Sequence, residues 1–172
     1  MLSPKKLSHI VLQTNHVRDM RDWYCNVLNA KVVSQNDNLC FLAYDEEHHR
    51  IGLVAFGPYV ERNEDAVGLH HVSFTYEAME DLLENFERLA AQDIRPEWTI
   101  NHGPTISLYY RDPDGNRLEL QIDVFNTNEE VNEFINGPIY QTNPIGTEFD
   151  PREMLAQLRA GVPEAELVRR TS

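Results

Sequence analysis

An internal repeat constrains this chain more than any other feature. Leu7-Ser8-His9-Ile10-Val11-Leu12 and Leu69-His70-His71-Val72-Ser73-Phe74 share one pattern: an apolar residue, a polar one, a histidine and an apolar run. Such self-similarity marks a supersecondary unit used twice. The sequence after each copy agrees. Val17 to Leu28 carries Met20, Trp23, Tyr24, Val27 and Leu28 at helical spacing, and Met79 to Leu89 carries Met79, Leu82, Leu83, Phe86 and Leu89. Three strand-like runs follow each helix, at 30–34, 39–44 and 49–56, then at 94–100, 105–110 and 117–124. Turn residues separate them, most clearly in Asp112-Pro113-Asp114-Gly115-Asn116, where Gly and Asn tolerate positive φ at little cost. Each half reads β-α-β-β-β.

At roughly 60 residues, neither half buries enough apolar surface to stand alone. The expectation is an α+β fold in which modules at about 5–57 and 68–124 form one curved mixed sheet around a cleft, helices on the convex side. Residues 1–125 then make one domain, with 57–68 as a polar connector. Residues 126–172 read as a C-terminal helical extension, not a separate domain. It has a helix over 127–136 capped by Thr127, an extended stretch over 137–146, and a helix capped by Asp150 with Pro151 first and Gly161 ending it. This extension is expected over the sheet, the cleft mouth or a second subunit.

Charge narrows the partners. Fifteen Lys and Arg face 28 Asp and Glu, a formal net charge of −13, which repels phosphate backbones and anionic lipid. No nucleic acid or membrane partner is expected, and no window approaches the roughly 20 apolar residues of a membrane span. Composition is ordinary for a globular protein, 41% apolar and 25% charged. The opening Met1-Leu2-Ser3-Pro4-Lys5-Lys6 has no signal-peptide hydrophobic core, and Cys25 and Cys40 read as buried thiols in a reducing compartment. A cytoplasmic protein is expected.

His9 and His71 hold equivalent places, read as mid-way along each first strand, so their side chains converge on one cleft. In Arg117-Leu118-Glu119-Leu120-Gln121-Ile122, alternation puts Glu119 on the face opposite Leu118 and Leu120. Two imidazoles and a carboxylate suit a divalent metal with neighbouring positions left open, as in non-haem Fe(II) oxygenases, and Mn(II) accepts the same set. His48-His49 is read as opening a strand, so only one of the two faces the cleft, and the residues alone leave open which. His102 precedes the strand with Tyr109 and Tyr110, of which again one faces inward. His16 reads as a helix-start or surface residue.

With these residues the chain resembles the vicinal oxygen chelate superfamily over roughly Leu7 to Val124, and within it the type I extradiol ring-cleaving dioxygenases. The resemblance implies metal ligands His9, His71 and Glu119. It implies His49 as active-site acid–base, from His48-His49-Arg50-Ile51-Gly52-Leu53, and Tyr109 and His102 beside the substrate oxygens. Most such dioxygenases carry four repeats, whereas this chain has two. The expected function is Fe(II)-dependent cleavage of a catechol-type ring, with a small aromatic diol and O₂ as partners and the chain as a homo-oligomer. The alternatives are a glyoxalase-type isomerase or lyase, and a non-catalytic small-molecule binding protein of the resistance type. Ile51-Gly52-Leu53-Val54 offers no ligand where glyoxalase I resembles this run but adds a fourth, which argues against the isomerase.

Overall fold

The computed structural model describes residues 2–63 and 65–170. The chain divides into two compact units, the first holding Met1–Gly68 with the turn Asp112–Asn116, the second Leu69–Arg111 with Arg117–Ser172.

In the first unit β1 (Ile10–Gln13) leads into α1 (Val17–Val27), then β2 (Lys31–Gln35), β3 (Leu39–Ala43) and β4 (Ile51–Val54). Among the described residues these strands form a four-stranded sheet of order β1-β4-β3-β2, parallel between β1 and β4 and antiparallel elsewhere. The apolar stripe of α1 at Val17, Met20, Tyr24 and Val27 is buried, as are Cys40, Leu42, Ile51 and Leu53 of β3 and β4. Burying each such side chain contributes on the order of 1.5–3 kcal/mol. His16 stands at the N-cap of α1 without capping it through its side chain, and its Nδ1 meets Asp114 at 3.0 Å. Tyr24 donates to Asp112 Oδ2 at 3.0 Å.

The second unit repeats the order and extends it. β5 (His71–Thr75), α2 (Met79–Ala90), β6 (Trp98–Asn101), β7 (Thr105–Arg111) and β8 (Arg117–Asp123) are followed by α3 (Asn128–Asn136), α4 (Pro138–Thr142), β9 (Thr147–Glu148), α5 (Pro151–Arg159) and α6 (Glu164–Leu167). The sheet order is β5-β8-β7-β6-β9, with β5 parallel to β8. Met79, Leu82, Leu83, Phe86 and Leu89 of α2 are buried, the stripe its spacing predicts.

The α+β class, the two β-α-β-β-β modules and the C-terminal helices are as expected. Hydrogen bonds divide the strands into two sheets, however, rather than one continuous sheet. The first strands are also shorter than the apolar runs imply, so His9 precedes β1 and His71 opens β5. In the extension, Thr127 and Glu130 form a capping box, Asp150 caps α5, and Gly161 follows α5 at φ +86°. The 137–146 stretch, expected to be extended, holds the helix α4, because Pro138 sits at a first helical position where its missing N–H costs nothing. Its neighbour β9 pairs with β6, so the extension lies on the sheet of the second unit. Cys40 is buried and Cys25 half-buried, both free, and burial pushes the Cys40 thiol up to about 11.

Candidate active site

In the second unit, strand register builds the polar cluster. Glu119 on β8 lies opposite Ser73 of β5 on one side and Tyr109 of β7 on the other. Directly opposed residues project to the same sheet face. Glu119 and Tyr109 are 5% and 4% exposed, a buried carboxylate beside a buried phenol. Glu119 Oε1 accepts from the Tyr109 hydroxyl at 2.9 Å, and Oε2 lies 3.1 Å from His71 Nε2. Burial, reinforced by the adjacent carboxylate, pushes the Tyr109 phenol well above its ordinary pKa, so it stays a hydrogen-bond donor. Tyr110 points the other way and is buried.

A chain of side chains orients His71. Arg117 Nη1 donates to His70 Nε2 at 2.9 Å, which leaves the His70 proton on Nδ1. That Nδ1 lies 2.7 Å from His71 Nδ1, so His71 accepts there and carries its own proton on Nε2, facing Glu119. Arg117 is held in turn by Glu97, which also binds Arg111 at 2.6 Å. Burial works against the Glu97 charge, but the two guanidinium groups outweigh it and hold its pKa below the usual range.

His102 continues the cluster on the far side of Tyr109. Its Nε2 lies 3.0 Å from the Tyr109 hydroxyl and its Nδ1 contacts the Ile145 carbonyl. Trp98 stacks on Tyr109 with ring centroids 5.1 Å apart and donates from Nε1 to Glu148 of β9 at 2.9 Å. Arg170 donates to the His102 carbonyl at 2.8 Å. The bend at Gly103 requires glycine: φ is +98°, and a Cβ there would lie 2.1 Å from the Phe134 ring. The extension thus fixes His102 from Ile145, Phe134 and Arg170.

The first unit gathers a different set. His9, His48 and His49 each offer a ring nitrogen within 4.8 Å of the others. His9 and His49 have ring centroids 4.2 Å apart, and His49 packs on Phe41 at 4.7 Å. His48 Nδ1 and His49 Nδ1 are 2.6 Å apart. Burial, and then His9 and His48, lower the His49 pKa, which keeps its imidazole neutral at neutral pH. Strand alternation had implied that only one of His48 and His49 faces a cleft. Both precede β4, in a turn where the alternation rule does not apply, and their rings meet.

The structure therefore brings His71, Glu119, Tyr109 and His102 together in one unit, and His9 with His49 in the other. Sequence reasoning missed His70, Arg117, Glu97 and Trp98 as supports. The one available signal was the second His-His step, at His70-His71, which repeats His48-His49. Among the described residues no helix is long and apolar enough to cross a membrane.

Two β-α-β-β-β modules, one bearing a half-buried His against a buried Glu that is backed by a tyrosine, define a class of duplicated α+β proteins built to present polar groups from a sheet. The chain belongs to the Glyoxalase/Bleomycin resistance protein/Dioxygenase superfamily, whose model matches residues 6–120. It is 48% identical over 164 residues to biphenyl-2,3-diol 1,2-dioxygenase 2 of Rhodococcus globerulus, covering 95% of this chain and 86% of that one. It is 47% identical to biphenyl-2,3-diol 1,2-dioxygenase 3 of the same organism, covering 96% and 88%. Among solved structures, a glyoxylase/bleomycin resistance protein/dioxygenase domain from a Frankia species matches with a TM-score of 0.60 and 25% identity, covering 75% of this chain and 99% of that one.

Proposed function

We propose that this protein is a ring-cleaving dioxygenase of small aromatic vicinal diols, using Fe(II) held by His9, His71 and Glu119. The names of the Rhodococcus relatives specify a 2,3-diol and cleavage at the 1,2 bond, outside the pair of hydroxyls. The structural observation that carries the reading is the 3.1 Å separation of His71 Nε2 and Glu119 Oε2. Two ligands at right angles on a metal with bonds of about 2.1 Å stand roughly 3 Å apart, so this pair spans a divalent cation once the His71 proton moves from Nε2 to Nδ1. The mixed nitrogen and oxygen donors also suit iron or manganese.

When bound, the metal lowers the pKa of a coordinated diol hydroxyl and leaves positions for both substrates. The chain's own groups do the rest. The His49 Nδ1 is engaged by His48, so Nε2 is the nitrogen that takes the diol proton and later returns one. Tyr109, held as a neutral donor, and His102 beside it hydrogen-bond the diol oxygens. Trp98, stacked on Tyr109, offers an aromatic wall for the ring. Overall, the carbon–carbon bond beside the diol breaks and both atoms of O₂ enter the product.

The test is aerobic incubation of Fe(II)-loaded protein with a panel of catechols, biphenyl-2,3-diol included, following oxygen uptake and coloured ring-opened product. One oxygen consumed per ring opened is expected; bound iron with no oxygen uptake on any diol overturns the reading. We further propose a homo-oligomer, supported by the exposed apolar side chains of Val32 and Val33 on the fully exposed edge strand β2. Light scattering in solution should return a multiple of 19.9 kDa.

A further inference from the structure

We propose that the cleft between α2 and α5 is a second binding site, built for a small carboxylate with an apolar body. It lies wholly in the second unit and shares no residue with the candidate active site. The cleft has a volume of about 450 Å³, within the roughly 300–1,000 Å³ typical of small-molecule sites. Its apolar floor comes from Phe86 of α2 and Leu155 of α5, 5% and 3% exposed. Ala90, Ala91 and Ala156 also line it, and their single methyl groups leave the space that longer side chains would fill.

The charged lining selects the ligand. Arg95, Arg152 and Arg159 border the cleft against one carboxylate, Glu87. Glu87 accepts from Arg159 Nη1 and Nη2 at 3.1 and 2.9 Å, which ties the two helices together and neutralises that pair. Arg95 reaches Asp93 at 3.2 Å, but both side chains are exposed, so water screens the pair heavily. Among the described residues, Arg152 is hydrogen-bonded only through its backbone N–H, to Asp150, and its guanidinium has no partner. Helix stability does not ask for a cation there: Arg152 stands in the first turn of α5, where the helix dipole favours acids.

Three positive charges against one negative leave a surplus of two, on a chain whose net charge is −13. The cleft thus draws an anion that the molecule as a whole repels. A planar guanidinium takes a carboxylate through two parallel N–H bonds, while the Phe86 and Leu155 floor takes the apolar part. Inorganic anions lack that part, and neutral ligands forgo the arginines.

The experiment is a titration of the ¹⁵N-labelled full-length protein with benzoate, followed residue by residue by NMR. Benzamide, which keeps the ring without the charge, and acetate, which keeps the charge without the ring, are titrated in parallel. Benzoate should shift the backbone amides of residues 86–95 and 152–159 along one saturating curve. Benzamide and acetate should bind there at least about tenfold more weakly, because each forgoes one of the two contacts. Arg152→Ala should weaken benzoate by at least about tenfold, the worth of a hydrogen bond to a charged group, and Arg152→Lys by less. Arg152 is exposed, so neither substitution disturbs the core. Benzoate shifts that are absent from these two segments overturn the site. Equal affinity for benzoate and benzamide, or equal benzoate affinity in wild type and Arg152→Ala, overturns the carboxylate as its ligand. Every readout is independent of iron and of diol turnover, so the result stands apart from the function proposed above.

Discussion

The two modules share a lattice of strand pairs, and the positions where they differ are the chemically informative ones. Counting from the equivalent histidines, Val11 of β1 pairs with Gly52 of β4, and Ser73 of β5 pairs with Glu119 of β8. One strand further, Phe41 pairs with Gly52 where Tyr109 pairs with Glu119. The first module thus carries a glycine and a phenylalanine where the second carries the carboxylate and the phenol. The glycine is not slack: a Cβ at Gly52 would sit 3.3 Å from Val11 Cγ2 and 3.4 Å from the Phe41 ring. Main-chain hydrogen bonds make both sheets, so the backbone is indifferent to which copy bears the polar groups. Duplication supplied two frames, and a few side chains made only one of them the Glu–Tyr half of a site.

The His-His steps differ in the same way. His70 and His71 are braced by Arg117 and Glu97, an ion-pair network on strand β8 and the start of β6. His48 and His49 sit in a turn, with His48 exposed and its carboxylate neighbour tied to Lys6. One pair has its proton order set by an ion-pair network, and the other rests on a ring contact with Phe41.

The strongest way to break this contrast is Glu119→Ala, which gives the second module the carboxylate-free character of the first. Bound iron per chain, measured by metal analysis, should fall steeply and diol cleavage with it; full iron retention would remove Glu119 from the ligand set. Next comes His49→Ala, expected to keep iron but slow ring opening by roughly 10²–10⁴-fold, the usual weight of acid–base catalysis. Unchanged turnover would return His49 to a purely structural role. Tyr109→Phe copies Phe41 into the second module and should retain iron while lowering turnover by about 10–100-fold, the worth of a hydrogen bond to a charged group.

The smallest effect sharpens the comparison at the turns. The β3–β4 turn is held by charge, with Arg50 donating to Asp45 at 2.8–3.1 Å, whereas the β7–β8 turn is held by N–H groups of Asp114 and Asn116 donating to Asp112. The Arg50 bonds hold the Asp45 pKa below its ordinary value. A depressed carboxylate stabilises the fold above the unfolded pKa of about 3.9, and that contribution is lost as pH falls through the lower folded value. Asp45→Asn should therefore lower the melting temperature slightly at pH 7, less in high salt, with the difference from wild type shrinking as the pH drops below about 4.

Much of this was legible because it is local. The apolar spacing of α1 and α2, the capping residues Thr127 and Asp150, and the alternation that separates Tyr109 from Tyr110 all act within a few residues. His102 and Tyr109 were named beside the substrate only through the family resemblance, and the tertiary structure supplied the 3.0 Å approach between them. The helix α4 was not legible, because five residues between Gly137 and Asn143, in a stretch with prolines at 138 and 144, are too few to show a helical period.

By itself, the sequence determined the duplicated module and its helices, which follow from periodicity and turn chemistry along the chain, and its His and Glu motifs carried the resemblance to the family. Only the tertiary structure decided that the strands close into two hydrogen-bonded sheets, that Arg117 reaches His70, and that His48 and His49 turn their rings together. Those outcomes depend on which strand ends pair and where a strand stops, and pairing is a property of residues distant in the chain. A shift of one or two residues in a strand's start, as at His9, changes which way a side chain faces while leaving the apolar pattern untouched.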